Sequence, residues 1–522
     1  MLVNNPALDT TPQDLQNQTS IVLGEGNKLI VAYDDSGPFS LDNPTTLGYS
    51  VSANGGGSFS DKGTLSPTPP YYTLGDPALA RSTNTGTVFL SAITTTTSPA
   101  GLNFLADRIN VFRSTNNGAD FGAPINGTPG FGTGEYHFGR DWIAVDNYPG
   151  PGYGNVYLAW SASRNGGDWG VCVTRSTDDG LTWGPNRGTG VEVKPGNPQC
   201  LGTSLTVGPD HTVYVTCFTL NELGKSKDIV MCRSTDQGQT FGDSMVVTGL
   251  RTNGFVGDLG LTDGNGQTFR TYVLPQAAVN PVTGDIYMIC PDKPKGPADK
   301  ADIFFTQSSD GGNTWSDPLR VNDDATTNDQ WQPALAVTLD GSHVGIFWYD
   351  RRLDPANDLI DRYGAIGSLS GHTVTFGANF HITDVSFPAA RGVDPVFPSW
   401  YAATGEYDQA VADNAYFYTT WGDNRLANAF HANQPDVRLA KVPVDWQGTN
   451  ASLLVASGVA TAPSSTARRD YTALIAAAMY EQTSWRTAAV DQVFSDLAST
   501  PRKRNLHNLG PDLAGTDLML PS

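Results

Sequence analysis

One eight-residue string returns along this chain. Ser176 to Trp183 reads STDDGLTW, Ser234 to Phe241 reads STDQGQTF, and Ser308 to Trp315 reads SSDGGNTW. Looser copies come earlier: SANGGGSF from Ser52 and STNNGADF from Ser114, with Asn54 and Asn116 in the aspartate position. The starts at 52, 114, 176, 234 and 308 lie 62, 62, 58 and 74 residues apart. A self-similar string at such a period marks a repeat architecture, one supersecondary unit per copy.

What precedes each octet repeats too. An alternating run such as NVYLAW (155–160) is followed by a polar loop, a second run such as GVCVTRS (170–176), and then the octet. Matching first runs are KLIVAY (28–33), TVFLSA (87–92), TVYVTC (212–217), DIYMIC (285–290), HVGIFW (343–348) and AYFYTTW (415–421), which makes seven units. Upstream of most lies another strand, for example DWIAVD (141–146) or QPALAV (332–337). With 57 Gly and 34 Pro for turns, four short antiparallel strands per unit is the pattern of propeller blades. The octet itself has a local explanation. Its third residue accepts backbone N–H bonds inside a tight hairpin, its fifth, Gly, supplies positive φ, and its closing aromatic packs between sheets.

The pattern S-x-[D/N]-x-G-x-[S/T]-[W/F] resembles the Asp box of the sialidase superfamily, the bacterial neuraminidase repeat, over roughly residues 15–450. The resemblance implies an all-β Asp-box propeller. Seven units predict seven blades; six, the number in true sialidases, is the alternative if one unit completes a split blade. The expected organisation is an N-terminal arm (1–14), a propeller (15–458) and a short C-terminal helical extension with an irregular tail (459–522). Ring closure needs a strand from one end, either ASLLVAS (451–457) or the first residues. The resemblance also implies a glycan or glycoconjugate ligand and an extracellular or cell-surface setting. In that superfamily the boxes face away from the active site, and the fold also carries lyases, other glycosidases and non-catalytic binders, so function rests on the site.

Bulk properties exclude several classes. Asp+Glu 52 against Lys+Arg 32 leaves a net charge of -20, which excludes a nucleic-acid backbone as the main ligand. No apolar run reaches the ~18 residues of a membrane helix, and MLVNNPALDT does not read as a signal peptide. Of five cysteines, Cys217 and Cys290 align with Trp160 as core fillers, and a Cys200–Cys217 disulfide is one pairing the sequence leaves open. Near the C-terminus, Tyr471, Leu474, Ile475, Ala478 and Met479 fall at helical spacing, followed by the basic PRKR (501–504). That helix either packs on the propeller or docks a protein partner.

The long loops, 92–107, 248–270, 350–361 and 422–435, fall on the face opposite the octets, where a rigid scaffold displays function. Aligning second strands on Trp160, Trp348 and Trp421 places Arg164, Arg352 and Arg425 four residues on, with Asp350 and Asp423 completing W-x-D-x-R twice. Three guanidinium forks from different blades suit a carboxylate ligand, and sialidases use an arginine triad in this sense. The competing reading pairs each arginine with its own aspartate or a neighbouring loop.

A second group starts the inner strands near the channel: Asp76, Glu135, Tyr136, His137, Arg140, Asp141, Trp331, Tyr401, Glu406 and Tyr407. Sialidases use a Tyr nucleophile assisted by Glu, with an Asp as acid/base, because a neutral phenol is not repelled by an anionic sugar. By resemblance Tyr407, Glu406 and Asp76 are the catalytic candidates, and Arg140 joins the substrate-binding ones. Adjacent Glu406 and Tyr407 point to opposite faces of one strand, so they do not simply form the pair. The F-R-I-P motif of many sialidases is missing; the nearest string, FRTYVLP (269–275), comes late in the chain. No cofactor is indicated, although acidic NDDATTND (322–329) has the oxygen ligands that Ca²⁺ takes. Two functions fit: an exo-glycosidase acting on acidic sugars, with a deep pocket and a raised acid, or a non-catalytic glycan- or protein-binding propeller with its charges paired off.

Overall fold

The structure, a computed structural model, describes residues 1–446 apart from 12–13, 38–44, 66–70, 96–107, 132–135, 165–168, 185–190, 195–198, 255–256, 296–298 and 390–403. The expected C-terminal helix, ASLLVAS and PRKR lie outside the described residues.

Seven antiparallel sheets follow one another along the chain. Their first strands are Gln16–Leu23, Tyr72–Arg81, Tyr136–Val145, Cys200–Val207, Gln276–Val279, Gln330–Val337 and Ala410–Ala412. Each first strand touches that of the next sheet, and the last returns to the first. The result is a seven-bladed propeller, here numbered blades 1 to 7. The second strands are buried along nearly their whole length, as in Val88–Thr95 and Val213–Leu220, because both faces meet a sheet. The core therefore lies between blades: Ile30, Leu90 and Phe112 join blades 1 and 2, Tyr157, Val171 and Val215 join blades 3 and 4, and Ile289, Ile346 and Trp348 join blades 5 and 6.

The first residues close the ring. Blade 7 has three strands, Ala410–Ala412, Tyr416–Leu426 and Gln434–Pro443, and Leu2 bridges Arg438 along its outer edge. The Val3 N–H donates to the Val437 carbonyl (2.8 Å), the Leu439 N–H to that of Met1 (2.8 Å), and the Asn4 amide to Asp436 (2.8 Å).

All five octets adopt one geometry. The Ser176 hydroxyl donates to Asp178 (2.7 Å) and accepts from the Gly180 N–H (2.8 Å), while Asp178 accepts from the Thr182 N–H (2.8 Å). The same bonds recur in the octets starting at Ser234 and Ser308, and Asn54 and Asn116 replace the aspartate without changing the pattern. In the last full copy, the Thr314 N–H and hydroxyl hold the Asp310 carboxyl down at about 2. The octet glycine has two jobs. Gly180 takes φ +78°, and a Cβ there would sit 2.7 Å from Phe89 of the preceding blade. The turn thus also sets how closely blades approach.

Cys200 and Cys217 form a disulfide between the first two strands of blade 4, and Cys172, Cys232 and Cys290 are buried thiols.

Candidate functional site at the channel mouth

The first strands of blades 1, 2, 3, 4 and 6 share an irregularity near their start, on the face opposite the octets. Register shifts occur between Asn17 and Ser20, Gly75 and Ala78, Leu201 and Ser204, and Trp331 and Ala334, and the pairing of Ala159 with Trp142 slips before Ser161 meets Gly139. Positive φ occurs at each bulge: at Gln18 (51°), at Asp76 (55°) with Gly75 before it (95°), and at Arg140 (53°), Gly202 (69°) and Gln332 (49°). A bulge re-aims a side chain, and left-handed backbone at a non-Gly residue is held only where its surroundings enforce it.

The residues at three of these bulges meet. With its amide oriented to donate, Gln18 reaches Asp76 Oδ1 at 2.6 Å. The Asp76 N–H donates to Asp34 (3.0 Å), and the Arg140 N–H reaches Asp76 Oδ2 (3.3 Å). Arg140 also pairs with Glu406, which precedes the first strand of blade 7, and Arg270, from the connection between blades 4 and 5, pairs with the other oxygen of the same carboxylate. The Tyr272 ring lies against both guanidiniums, 4.5 Å from that of Arg140 and 5.7 Å from that of Arg270. Glu406 is 4% exposed, whereas Arg140 and Arg270 keep 16% and 26% of their side chains open to solvent. Burial raises the Asp76 carboxyl above its usual range, opposed by Arg140 and Arg270. Tyr407 is buried beside them, and burial, with Asp76 and Asp141 adding, pushes its phenol well above 10. Arg140, Asp141, Trp142, Thr203, Gln276 and Tyr407 line a small hollow below the arginines.

Near Glu406 in sequence, Asp408 pairs with Arg362 of blade 6 (3.4 Å), both fully buried. Asp408 also accepts from the Thr19 hydroxyl (2.8 Å) and the Gln332 amide (3.3 Å), and its carbonyl from Gln276 (2.6 Å). This network ties blades 1, 5, 6 and 7 across the axis.

The W-x-D-x-R residues form two self-contained units. Asp350 accepts from the Trp348 indole (2.8 Å) and from Arg352 Nε (2.9 Å), and Arg352 also reaches Asp323 (2.8 Å) and Asn379 (2.9 Å). Asp423 accepts from the Trp421 indole (3.1 Å) and Arg425 Nε (2.7 Å), and Arg425 extends to Asp384. These arginines do not converge with Arg140 and Arg270. Arg164 ends the second strand of blade 3, opposite Tyr136; the side chains of both and of His137, and all of Glu135 and Tyr401, lie outside the described residues. Trp331 is buried against Tyr349 and Phe269. In NDDATTND the carboxylates of Asp323, Asp324 and Asp329 face Arg352, Arg320 and Arg351, and among the described residues no group of three or more His, Cys, Asp or Glu is placed to hold a metal ion.

Sequence reasoning set Arg270 aside and missed Tyr272, Arg362 and Asp408. Arg270 and Tyr272 stand in an irregular connection with no repeat register; Asp408 follows Tyr407 directly, so the aligned strand start was its one signal.

No protein-family profile matches the chain, and no curated protein does. Among solved structures it is similar to the Hadza microbial sialidase Hz136, at 18% identity and TM-score 0.42 over 64% of this chain and 63% of that one. It is also similar to Trypanosoma rangeli sialidase in complex with the inhibitor DANA (13%, TM-score 0.42, 69% and 55%). A third likeness is to Penicillium chrysogenum alpha-L-arabinanase complexed with arabinobiose (13%, TM-score 0.40, 67% and 92%). The match spans less than two thirds of either sialidase chain.

Proposed function

We propose that the protein is a glycan-active propeller that takes an acidic sugar at the channel mouth and acts on it as an exo-glycosidase. The observation that carries this reading is the convergence of Arg140 and Arg270, from different parts of the ring, on a single carboxylate beside Asp76 and Tyr407. Paired guanidinium forks suit a sugar carboxylate. In this reading Arg140 and Arg270 receive that carboxylate, and Asp76, with its raised proton affinity, protonates the leaving oxygen. Tyr407 is the nucleophile and Glu406 holds the arginines in place. Arg352 and Arg425, held by their aspartates, are rim contacts of lower rank, with Arg164. The Cys200–Cys217 disulfide fits an oxidising, extracellular setting.

A binding propeller without turnover is the second reading, favoured by the pairing of Arg352 with Asp350, of Arg425 with Asp423, and of Arg140 and Arg270 with Glu406. The deciding experiment is hydrolysis of fluorogenic sialosides and hexuronides, with calorimetric binding of the free acidic sugars alongside. Turnover lost in Arg140→Ala, Arg270→Ala and Asp76→Asn supports the glycosidase; binding without turnover supports the second reading; neither, with the fold intact, rejects both.

A further inference from the structure

Three buried polar atoms belong to residues that line the small hollow, and among the described residues none of the three has a hydrogen-bond partner: Tyr407 Oη, Asp141 Oδ1 and Arg140 Nη1. Tyr407 and Asp141 are 5% and 1% exposed. Buried polar atoms without partners cost about 1–3 kcal/mol each, so three around one hollow call for an explanation. Direct pairing is not how they meet. The other Asp141 oxygen is bonded by the Ser91 hydroxyl, which fixes the carboxylate, and the other terminal nitrogen of Arg140 is committed to Glu406. The remaining valences are complementary. A guanidinium N–H only donates, a carboxylate oxygen accepts, and a phenol does either. A water with two to four polar neighbours is a stable part of a protein interior.

We propose that one water in this hollow joins Tyr407 to Asp141, with Arg140 holding it, and that Asp141 is thereby the proton acceptor for the Tyr407 phenol. The catalytic part rests on the reading of Tyr407 as nucleophile. The step balances. The phenol proton passes to the water as the water gives one of its own to the Asp141 carboxylate. The phenolate oxygen bonds to the anomeric carbon as the glycosidic C–O bond breaks, and Asp76 protonates the departing oxygen. Attack by water on the glycosyl–tyrosine bond then returns the phenolate, which regains its proton by the same route in reverse, while Asp76 takes a proton from the attacking water. Adjacent Glu406, clamped by Arg140 and Arg270, is excluded from the role of proton acceptor for the phenol.

The test has two arms. A high-resolution crystal structure of the whole chain is expected to show one ordered water within about 2.6–3.2 Å of all three atoms. A hollow without water, or Tyr407 Oη bonded directly to a protein group, overturns the proposal. In kinetics, Asp141→Asn is expected to lower kcat by about 10²–10⁴-fold with KM little changed. That loss persists with aryl leaving groups that need no protonation, whereas those leaving groups rescue Asp76→Asn. Rescue of Asp141→Asn by the same leaving groups overturns the proposal. If the wild type turns over no glycoside, the functional reading falls and takes the catalytic role of Asp141 with it, while the crystallographic arm still decides the water bridge.

Discussion

Arg175, at the end of the third strand of blade 3, donates from Nη1 to the carbonyl oxygen of Gln237, 2.6 Å away in the octet of blade 4. Gln237 is the fourth octet residue and has φ 61°, the left-handed turn that presents its carbonyl outward. The bond repeats around the ring: Arg113 reaches the Asp179 carbonyl (2.6 Å) and Arg233 that of Gly311 (2.6 Å). The octets starting at Ser176, Ser234 and Ser308 are thus receptors for the arginine that precedes the serine of the octet before each. Arg175→Ala is expected to lower stability by about 1.5–3 kcal/mol, the usual range for a hydrogen bond from a charged donor, with Arg175→Lys intermediate. Urea denaturation measures it, and an unchanged midpoint would show the clamp to be idle.

The octet glycines give a paired prediction. Gly180→Ala meets both the positive φ and Phe89, while Gly26, also left-handed at φ +62°, has nothing within 4 Å of an added Cβ. Gly26→Ala is expected to cost roughly 1–2 kcal/mol from backbone strain alone. Gly180→Ala adds about 1–3 kcal/mol of overpacking between blades 2 and 3. Equal losses in the two variants, read from thermal denaturation, would mean that the close approach to Phe89 relaxes freely.

The difference between the octets and the site explains what could be read from the sequence. Each octet position has a local job: Ser176, Asp178, Gly180 and Thr182 bond to one another within one turn, so the string is constrained by itself and repeats. W-x-D-x-R was visible for the same reason, and closes on itself through Trp348, Asp350 and Arg352. The channel mouth has no such local signature. Gln18, Asp76, Arg140 and Gln332 share positive φ, yet only Asp is a type that favours it, and the common position emerges only from the bulged strands. Arg270 and Tyr272 reach Arg140 across more than a hundred residues of chain, through the ring and not through the repeat. Cys200 and Cys217 meet because adjacent strands of blade 4 lie side by side, which cysteine spacing alone left open.

The buried pair of Arg362 and Asp408 predicts asymmetric mutational costs. Each ion is fully enclosed, so removing one strands the other. Asp408→Ala is expected to destabilise by about 3–5 kcal/mol, whereas Asp408→Leu combined with Arg362→Met recovers much of that loss. A double-mutant cycle by denaturant unfolding checks this. Additive losses would show that Thr19 and Gln332, rather than the arginine, carry the aspartate.

The seam that closes the ring predicts a pH dependence of stability. Burial, with Asp436 and Asp14 adding, pushes the Asp9 carboxyl up to about 8, and burial lifts Asp436 to about 7 against the opposing pull of Asn4 and Arg438. Asp35, which shares the Gln16 amide with Asp9, is raised to about 6, again chiefly by burial. Between the ordinary 3.8 and these raised values the folded chain holds protons that the unfolded chain has released. Stability from these groups is therefore complete below 3.8 and is lost progressively as pH rises to about 8. The melting temperature is expected to fall across that window and to level off above it. Asp436→Asn keeps an amide that the seam tolerates and cannot ionise, so it flattens the fall near pH 7. A variant profile parallel to that of the wild type would place the proton-sensitive step elsewhere than the junction of the first residues with blade 7.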